Sequence, residues 1–529
     1  MDISRLRNFI DKYWILFSFI LIKFVGQFIV VNPIYELQRD EFLHLDQANH
    51  LAFGFISVPP LTSLFSVIIY WLGGSLFWIR FFPALFGALT IIFAWLIVEQ
   101  LQGKMFAKVL VSSALVFSIY MRLNILFQPN SFDILAWTMV YFFLIKYITT
   151  EKLKCLLFVF LSGVLGFYNK YNISFLFIGL IIGILLSKHV NLFSKRFFWK
   201  AVLVSLLLLL PNLIWQITHQ FPVIMHMRAL SNYQLVNNSA LGFLRSQIQI
   251  ILGSLPLVVA ALIAFWAYKP FKPFRIIGIS FIATIIIFSY FKAKDYYALG
   301  LYPVLFAFGS VYLEKLLSGN WLKYIRPLPI LLNLLLFLSI ARYLLPILSP
   351  QQIVENKMMF EKFGLLRWED GKNHPLPQDF SDMLGWKEMA DKAEVAYKAI
   401  PKNELGKTII FCDNYGQCGA LNYYNRAKTP ESYTFNTDYI FWLPRLDTIQ
   451  NIVFIGKKPD NKVLDWFTDC KYMGRVESEY SREKGTAIYL LTGSKTGFTK
   501  LFYQIVAERK KKLDRTVGAQ GYCTHRHQF

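Results

Sequence analysis

Two adjacent carboxylates, Asp40 and Glu41, follow the first apolar segment of the chain. Charge beside a membrane-spanning segment is costly and tends to mark a functional site. A carboxylate at this position could act as a general base that removes a proton from an attacking hydroxyl group. The alternative is a solvated surface loop whose acids face water, and this loop taken alone favours that alternative.

Other polar residues stand at the ends of later apolar segments. Asp133 follows Pro129 at the start of one segment, where an acid could also cap a helix. Lys294 precedes Tyr296 and Tyr297 at the start of another. A lysine could stabilise charge on a phosphate leaving group, and aromatic faces could stack on a sugar. The alternative for these residues is an interfacial belt of tyrosines with a snorkelling lysine.

The segments that position these residues are long and apolar. Of the 529 residues, 55% are hydrophobic, and crossing the hydrocarbon core of a bilayer takes about 20 apolar residues. The sequence predicts an α-helical polytopic membrane protein with about eleven transmembrane helices, at residues 13–31, 78–100, 107–123, 131–148, 153–168, 173–187, 199–218, 248–267, 275–291, 297–316 and 328–345. The first of these is read as a retained span and not as a cleaved signal peptide.

One apolar run, residues 61–72, is excluded from the spans. Pro60 and Gly73 bracket it, and it is too short to cross a bilayer. With this run excluded, the basic N-terminus and five Lys- and Arg-rich connections fall on the cytoplasmic side, as the positive-inside rule requires. We therefore expect residues 61–72 to lie along the outer interface, and Asp40, Asp133 and Lys294 to face the outer side.

The net charge of +22 is accounted for by basic cytoplasmic connections, so we predict membrane lipids and no nucleic acid as partners. The sequence has no Gly-rich phosphate loop and no zinc-finger spacing. The five cysteines also lack metal-ligand spacing, and we predict no tightly bound metal and no cofactor. One disulfide among Cys412, Cys418 and Cys470 is compatible with an extracytoplasmic tail, and so are free thiols.

The composition changes to mixed polar after Pro346. Helical periodicity over residues 381–399 alternates with strand patterns at 408–412, 451–455 and 487–491, which predicts a small α/β domain. The parity of eleven spans places this domain outside the cytoplasm. We assign residues 1–348 to a transmembrane domain, 349–500 to the extracytoplasmic α/β domain, and 501–529 to a basic, disordered tail.

Taken together, the motifs resemble glycosyltransferase family 39, a group of C-type polytopic enzymes related to protein O-mannosyltransferases and lipid A aminoarabinose transferases. The resemblance covers roughly residues 10–345. It rests on Asp40-Glu41, His50-Leu51-Ala52-Phe53-Gly54, Pro59-Pro60-Leu61, Arg80 with Pro83, Pro129-Asn130 with Asp133, Lys294 with Tyr296-Tyr297, and Tyr302-Pro303.

The resemblance implies a glycosyltransferase of the inner (plasma) membrane. It would move a sugar from a polyprenyl-phosphate donor to a hydroxyl or phosphate of a lipid, glycan or protein acceptor on the outer face, with inversion at the anomeric carbon. The alternative is a transporter or flippase of a lipid-linked sugar, which would show interrupted helices in paired halves; the sequence gives no sign of these. A third alternative is a structural membrane scaffold, which would not need acids and lysines aligned on one face of the membrane.

Residue by residue, the resemblance makes Asp40 the general base and gives Asp133 the role of orienting the acceptor or assisting the base. Lys294 would bind the donor phosphate. Glu41 is assigned to positioning the loop, and the remaining predicted substrate-binding residues are Tyr296, Tyr297, Pro59 and Pro60. One departure is that Ser57 and Val58 stand where the aminoarabinose transferases have an acid and a lysine.

Overall fold

Contacts within the chain divide it into two units, which we describe separately. The computed structural model describes residues 3–319 and 321–515. The membrane unit contains Met1–Val31, Leu72–Asn212 and Asn238–Ile347. The sheet unit contains Asn32–Trp71, Leu213–Asn237 and Leu348–Phe529. The loop that carries Asp40 and Glu41 therefore groups with the C-terminal part of the chain.

Helices dominate the first two thirds of the chain, because backbone groups in lipid must be satisfied within the segment. Their bounds are α1 Ile3–Ile29, α2 Arg39–Asp46, α3 Leu61–Trp71, α4 Leu76–Gln100, α5 Met105–Val116, α6 Tyr120–Leu123, α7 Pro129–Thr150, α8 Leu153–Asn169, α9 Ile173–Leu185, α10 Arg196–Thr218, α11 Pro222–Tyr233, α12 Ala240–Ile250, α13 Leu255–Ala267, α14 Arg275–Tyr290, α15 Tyr302–Leu316 and α16 Pro327–Leu344.

Within the described residues, seven helices are long and apolar enough to cross a membrane, or up to nine if each of two bent pairs is one span. Two shorter apolar helices, α5 and α8, lie at the remaining predicted spans. A helix therefore stands at each of the eleven predicted positions, and the predicted polytopic helical class is confirmed. The excluded run forms α3, which has 11 residues.

The two bent pairs were not expected. Ile173–Leu185 and Lys188–Ser194 meet at 108°, and Ala240–Ile250 and Leu252–Ala267 meet at 69°. The first break falls at the end of a predicted span, where Lys188 and His189 follow, and the second lies beside Gly253 and Pro256. Broken helices of this kind are compatible with a transporter as well as an enzyme.

A buried lysine stabilises an irregular segment of the membrane unit. Lys23 Nζ donates a hydrogen bond to the carbonyl oxygen of Tyr120 at 3.1 Å. Gln27 Nε2 donates to the carbonyl oxygen of Met121 at 2.9 Å. Both acceptors lie on α6, a four-residue helix, and backbone carbonyls of so short a helix need partners outside it. Lys23 therefore has a structural role in this unit.

The C-terminal part of the sheet unit mixes short helices and strands. The helices are α17 Pro350–Glu355, α18 Lys357–Lys362, α19 Gln378–Ser381, α20 Trp386–Lys398, α21 Tyr415–Tyr424, α22 Tyr439–Trp442, α23 Asn461–Leu464 and α24 Phe498–Arg515. The strands are β1 Thr408–Cys412, β2 Ser432–Tyr433, β3 Asn451–Gly456, β4 Phe467–Arg475 and β5 Ala487–Ser494.

The strands form one mixed sheet in the order β2-β1-β3-β5-β4. Strand β1 runs parallel to β2 and β3, and Thr408 pairs with Asn451. Strand β5 runs antiparallel to β3 and β4. Each of the three predicted strand patterns lies on a strand of this sheet, and the small α/β domain is confirmed. Strands β2 and β4 were not predicted, because β2 has only two residues and β4 is largely exposed.

Helix α24 covers part of the segment that we expected to be a disordered tail. It runs from Phe498 to Arg515. Phe498, Phe502 and Val506 are buried in the core against strand residues such as Phe411 and Phe454. Their spacing of four residues gives the helix an apolar stripe, which the basic residues after 508 obscured in the sequence. The expected tail at 516–529 lies outside the described residues.

Candidate active site

The predicted site residues divide between the two units. Asp40, Glu41, Pro59 and Pro60 belong to the sheet unit, and a second set belongs to the membrane unit. Asp40 and Glu41 lie in the first turn of α2, where Gln38 is the N-cap. The Asp40 backbone N–H donates to Gln38 Oε1 at 2.8 Å, and Glu41 Oε2 accepts from the Gln38 backbone N–H at 2.7 Å. This capping box explains why the helix begins here.

The capping box gives Asp40 and Glu41 different roles. Glu41 is buried, with 1% of its surface exposed, and its carboxylate is committed to the backbone of Gln38. The side chain of Asp40 is 38% exposed. A residue that exchanges a proton with a substrate must be reachable, so Asp40 is the better candidate for chemistry and Glu41 for holding the loop.

Asp40 has two partners that the sequence analysis missed. The Tyr415 hydroxyl donates to Asp40 Oδ1 at 2.6 Å. Arg39 Nε lies 3.6 Å from the same oxygen, and the Arg39 guanidinium stacks over the Tyr415 ring at 4.7 Å. Arg39 could have been singled out as the neighbour of Asp40 in the chain. Tyr415 lies 375 positions away and carries no signal of its own.

Pro59 and Pro60 are buried and precede α3. The Pro60 carbonyl accepts from the Leu64 backbone N–H at 3.1 Å, within the first turn of that helix. Proline suits this position because its fixed φ favours a helix start and its missing N–H is not needed there. Their part in substrate binding remains a prediction, whereas their part in starting α3 is evident from the geometry.

Helix α3 exposes an apolar face. Its buried residues include three small polar ones, Thr62, Ser63 and Ser66, whereas the large exposed residues are Leu64, Val67, Ile68 and Trp71. Ser66 Oγ donates to the carbonyl oxygen of His44 at 2.7 Å. A helix on a water-facing surface buries its apolar residues and exposes its polar ones, and α3 does the opposite. An outward apolar face is what the expected position of residues 61–72 along the outer interface would require.

In the membrane unit, Asp133 accepts hydrogen bonds on both carboxylate oxygens. Trp137 Nε1 donates to Oδ1 at 2.9 Å, and Asn172 Nδ2 donates to Oδ2 at 3.0 Å. The side chain is buried, with 3% exposed. Asp133 is not the cap of α7, because that helix begins at Pro129 with Gln128 as N-cap. The capping alternative for Asp133 is therefore wrong.

Asn172 links Asp133 to the second predicted group of residues. Its Nδ2 atom also donates to the Tyr297 carbonyl oxygen at 3.0 Å. Lys170, two residues earlier, places its ammonium group 5.0 Å from the centre of the Tyr296 ring and 4.4 Å from that of Tyr297. Asp133, Tyr296 and Tyr297 are thus brought together through the loop that carries Lys170 and Asn172.

Lys170 is held by a hydrogen bond as well as by the two rings. Its Nζ donates to Asn130 Oδ1 at 2.8 Å. Burial lowers the pKa of Lys170 to about 8; the nearby charge of Asp133 opposes this shift and that of Lys294 adds to it. Two lysines close enough to repel each other are suited to bind an anion between them.

The described residues contain no group of three or more His, Cys, Asp or Glu side chains that could hold a metal ion. Cys155, Cys412, Cys418 and Cys470 are free thiols, which is one of the two states compatible with the sequence.

Comparison with known proteins identifies the fold. Residues 57–215 match the family model of dolichyl-phosphate-mannose-protein mannosyltransferases, which confirms the predicted resemblance over that stretch. The crystal structure of ArnT from Cupriavidus metallidurans bound to undecaprenyl phosphate is similar with a TM-score of 0.60 and 14% identity, covering 90% of this chain and 98% of ArnT. The chain has the ArnT fold.

Two further solved structures also resemble this chain. ArnT from the same organism in the apo state gives a TM-score of 0.59 and 13% identity, over 91% of this chain and 98% of ArnT. The oligosaccharyltransferase AglB from Archaeoglobus fulgidus, in complex with an inhibitory peptide and a dolichol-phosphate, is more distant. Its TM-score is 0.45 at 11% identity, over 84% of this chain and 70% of AglB. No curated protein sequence matches this chain.

Proposed function

We propose that this protein is a membrane glycosyltransferase that moves a sugar from a polyprenyl-phosphate donor to an acceptor hydroxyl or phosphate on the outer face of the inner membrane. The observation that carries the proposal is the likeness to ArnT over 90% of the chain, in a crystal structure that holds undecaprenyl phosphate. The partly exposed acid on α2 and the paired lysines of the membrane unit supply the two kinds of group that the reaction needs.

The proposed reaction is a single displacement at the anomeric carbon. Asp40 accepts the proton of the acceptor hydroxyl group as its oxygen attacks. The bond between the anomeric carbon and the phosphate oxygen breaks, and its electron pair leaves with the polyprenyl phosphate. Attack from the face opposite the leaving group inverts the configuration. Asp40 must be ionised for this step, and the tyrosine and arginine beside it favour its charged form.

The leaving phosphate gains negative charge as the bond breaks, and a nearby cation stabilises that charge. We assign this role to Lys294. Lys170 stands close enough to Lys294 for the charge of Lys294 to lower its pKa, and it assists in the same role. Asp133 keeps the loop of Asn172 in place through the hydrogen bond between them, which orients this side of the site.

Asp40→Asn tests the proposal. The amide keeps the size of the side chain but has too little basicity to accept the proton, so we expect transfer to fall at least about a thousandfold while expression is unchanged. Asp391→Asn is the control, because Asp391 is an exposed acid of the same unit that pairs with Lys387. Near-normal turnover of the Asp40→Asn protein would remove Asp40 from the role of base.

The readout must also reveal the sugar. Mass spectrometry of envelope glycans, glycoproteins and lipids from a deletion strain, complemented with each variant, identifies which sugar is missing and where it was attached. A strain that loses an envelope sugar and accumulates its lipid-linked donor on the cytoplasmic side would instead favour a flippase, an alternative with which the two bent helix pairs are compatible.

A further inference from the structure

Helix α2, which carries Asp40, packs closely on α21 within the sheet unit. Two glycines of α21 make the approach possible. A methyl group at Gly416 would overlap the Arg39 side chain, and one at Gly419 would lie 3.0 Å from the backbone carbonyl carbon of Phe42. The added methyl group at Gly419 would also lie 2.8 Å from Phe42 Cβ, a separation that real Cβ atoms essentially never show, so a larger residue there would push the helices apart.

Polar contacts fix the two helices at both ends of α2. At its start, the Tyr415 hydroxyl donates to Asp40 Oδ1 at 2.6 Å. At its end, Asn422 Nδ2 donates to Asp46 Oδ2 at 2.5 Å. Gly416, Gly419 and Asn422 are spaced three residues apart and Tyr415 lies four residues before Gly419, so these residues lie along one side of α21. That face determines where the carboxylate of Asp40 stands.

Tyr415 keeps its proton under all ordinary conditions. Burial raises the pKa of its phenol well above the usual value, so the hydroxyl stays a donor. A hydrogen bond donated to a carboxylate favours the charged form of that carboxylate. It also restricts rotation of the side chain, which leaves the acid in one orientation toward an incoming hydroxyl group.

We propose that Tyr415 is a positioning residue for Asp40, and that α21 therefore forms part of the catalytic apparatus instead of belonging to a separate accessory domain. The inference rests on the proposed function in taking Asp40 as the base. Tyr415 does not itself exchange a proton with substrate. It fixes Oδ1 of Asp40 and keeps the carboxylate ionised, so that the base is ready when the acceptor arrives.

Other charged groups around Asp40 must remain in place during a test. Arg39 lies 3.6 Å from Oδ1, and Arg482 Nη1 donates to Asp382 at 3.1 Å. The charged or titratable groups that act on Asp40, Tyr415 or their immediate partners are Arg39, His44, Glu369, Asp379, Asp382 and Arg482. None of them is altered by a substitution that removes only the Tyr415 hydroxyl.

Tyr415→Phe tests the proposal in the full-length protein in nanodiscs. The probe is a hydrophobic carbodiimide, which reacts with protonated carboxyl groups, and peptide mass spectrometry reports the pH at which Asp40 is half labelled. Losing one hydrogen bond to a partly exposed carboxylate should raise that pH by about one unit. The control is Tyr424→Phe, which removes a hydroxyl of the same helix that donates to Glu36 at 3.2 Å; it should leave the labelling of Asp40 unchanged.

Transfer assays separate this inference from the proposed function. In the Tyr415→Phe protein, the acid limb of the pH–rate profile should move up by the same unit, since the rate requires ionised Asp40. Suppose that Asp40→Asn abolishes transfer but Tyr415→Phe changes neither the pH at which Asp40 is half labelled nor the pH–rate profile. The positioning role of Tyr415 is then overturned, and the proposed function stands. If labelling shifts but the Asp40→Asn protein transfers normally, Asp40 is not the base and the proposed mechanism fails, although the contact between Tyr415 and Asp40 is real.

Discussion

At the scale of single residues, the lysines of the membrane unit differ in their contacts and in their exposure to solvent. Lys170 is bonded to Asn130 and lies over two tyrosine rings, whereas Lys292 is exposed. Lys294 is half-buried, as Lys170 is, and it interacts electrostatically with Lys170. A snorkelling lysine would have its ammonium group in water. The partial burial of Lys170 and Lys294 argues against snorkelling and supports the proposal that they bind an anion.

Lys294→Gln should raise the apparent Michaelis constant for the donor about tenfold or more, because a charged hydrogen bond to phosphate is worth about 1.5–3 kcal/mol. Lys292→Gln is the matched control: it removes an exposed lysine two positions earlier and should leave the constant unchanged. The measurement is initial rate against donor concentration in proteoliposomes. An equal, small effect of both substitutions would assign Lys294 to the interface belt.

At the scale of elements, the composition of each segment was enough to predict the positions of most helices and strands along the chain. The long apolar runs predicted the helices, and the short apolar runs at 408–412, 451–455 and 487–491 predicted β1, β3 and β5, because buried strands have continuous apolar sequences. The contacts of Asp40 were not predictable in this way. Tyr415 and the two glycines of α21 are ordinary residues in the sequence, and only the packing of α2 on α21 gives them a role.

Gly419→Ala tests how far that packing matters. Alanine is a better helix former than glycine by about 1 kcal/mol, so in an open position the change would stabilise α21. At Gly419 the new methyl group meets the Phe42 backbone and the Tyr439 hydroxyl, and overpacking costs about 1–3 kcal/mol. We expect a lower thermal midpoint of the purified protein, with Gly406→Ala as control because its new methyl group would meet no atom within 4 Å. A raised midpoint for Gly419→Ala would contradict the close packing.

At the scale of the whole molecule, the two units each present one part of the proposed chemistry. The sheet unit carries the acid and the residues that hold it, and the membrane unit carries the lysines and tyrosines. A donor on a polyprenyl chain is confined to the bilayer. The sidedness of the chain therefore decides whether both parts can work on the same substrate, and this sidedness was predicted from the distribution of Lys and Arg alone.

Single-cysteine labelling tests that sidedness directly. Ser194 lies in the basic connection between α9 and α10, and Glu479 lies in the C-terminal part of the chain; both are exposed. With a membrane-impermeant maleimide added to intact spheroplasts, Glu479→Cys should be labelled, because an odd number of spans puts it outside. Ser194→Cys should react only after the membrane is opened, since moving its basic neighbours across would violate the positive-inside rule. The unmodified chain measures the background from Cys470, which is partly exposed. Labelling of Ser194→Cys from outside would indicate that residues 61–72 cross the membrane, which would put Asp40 and Lys294 on opposite sides.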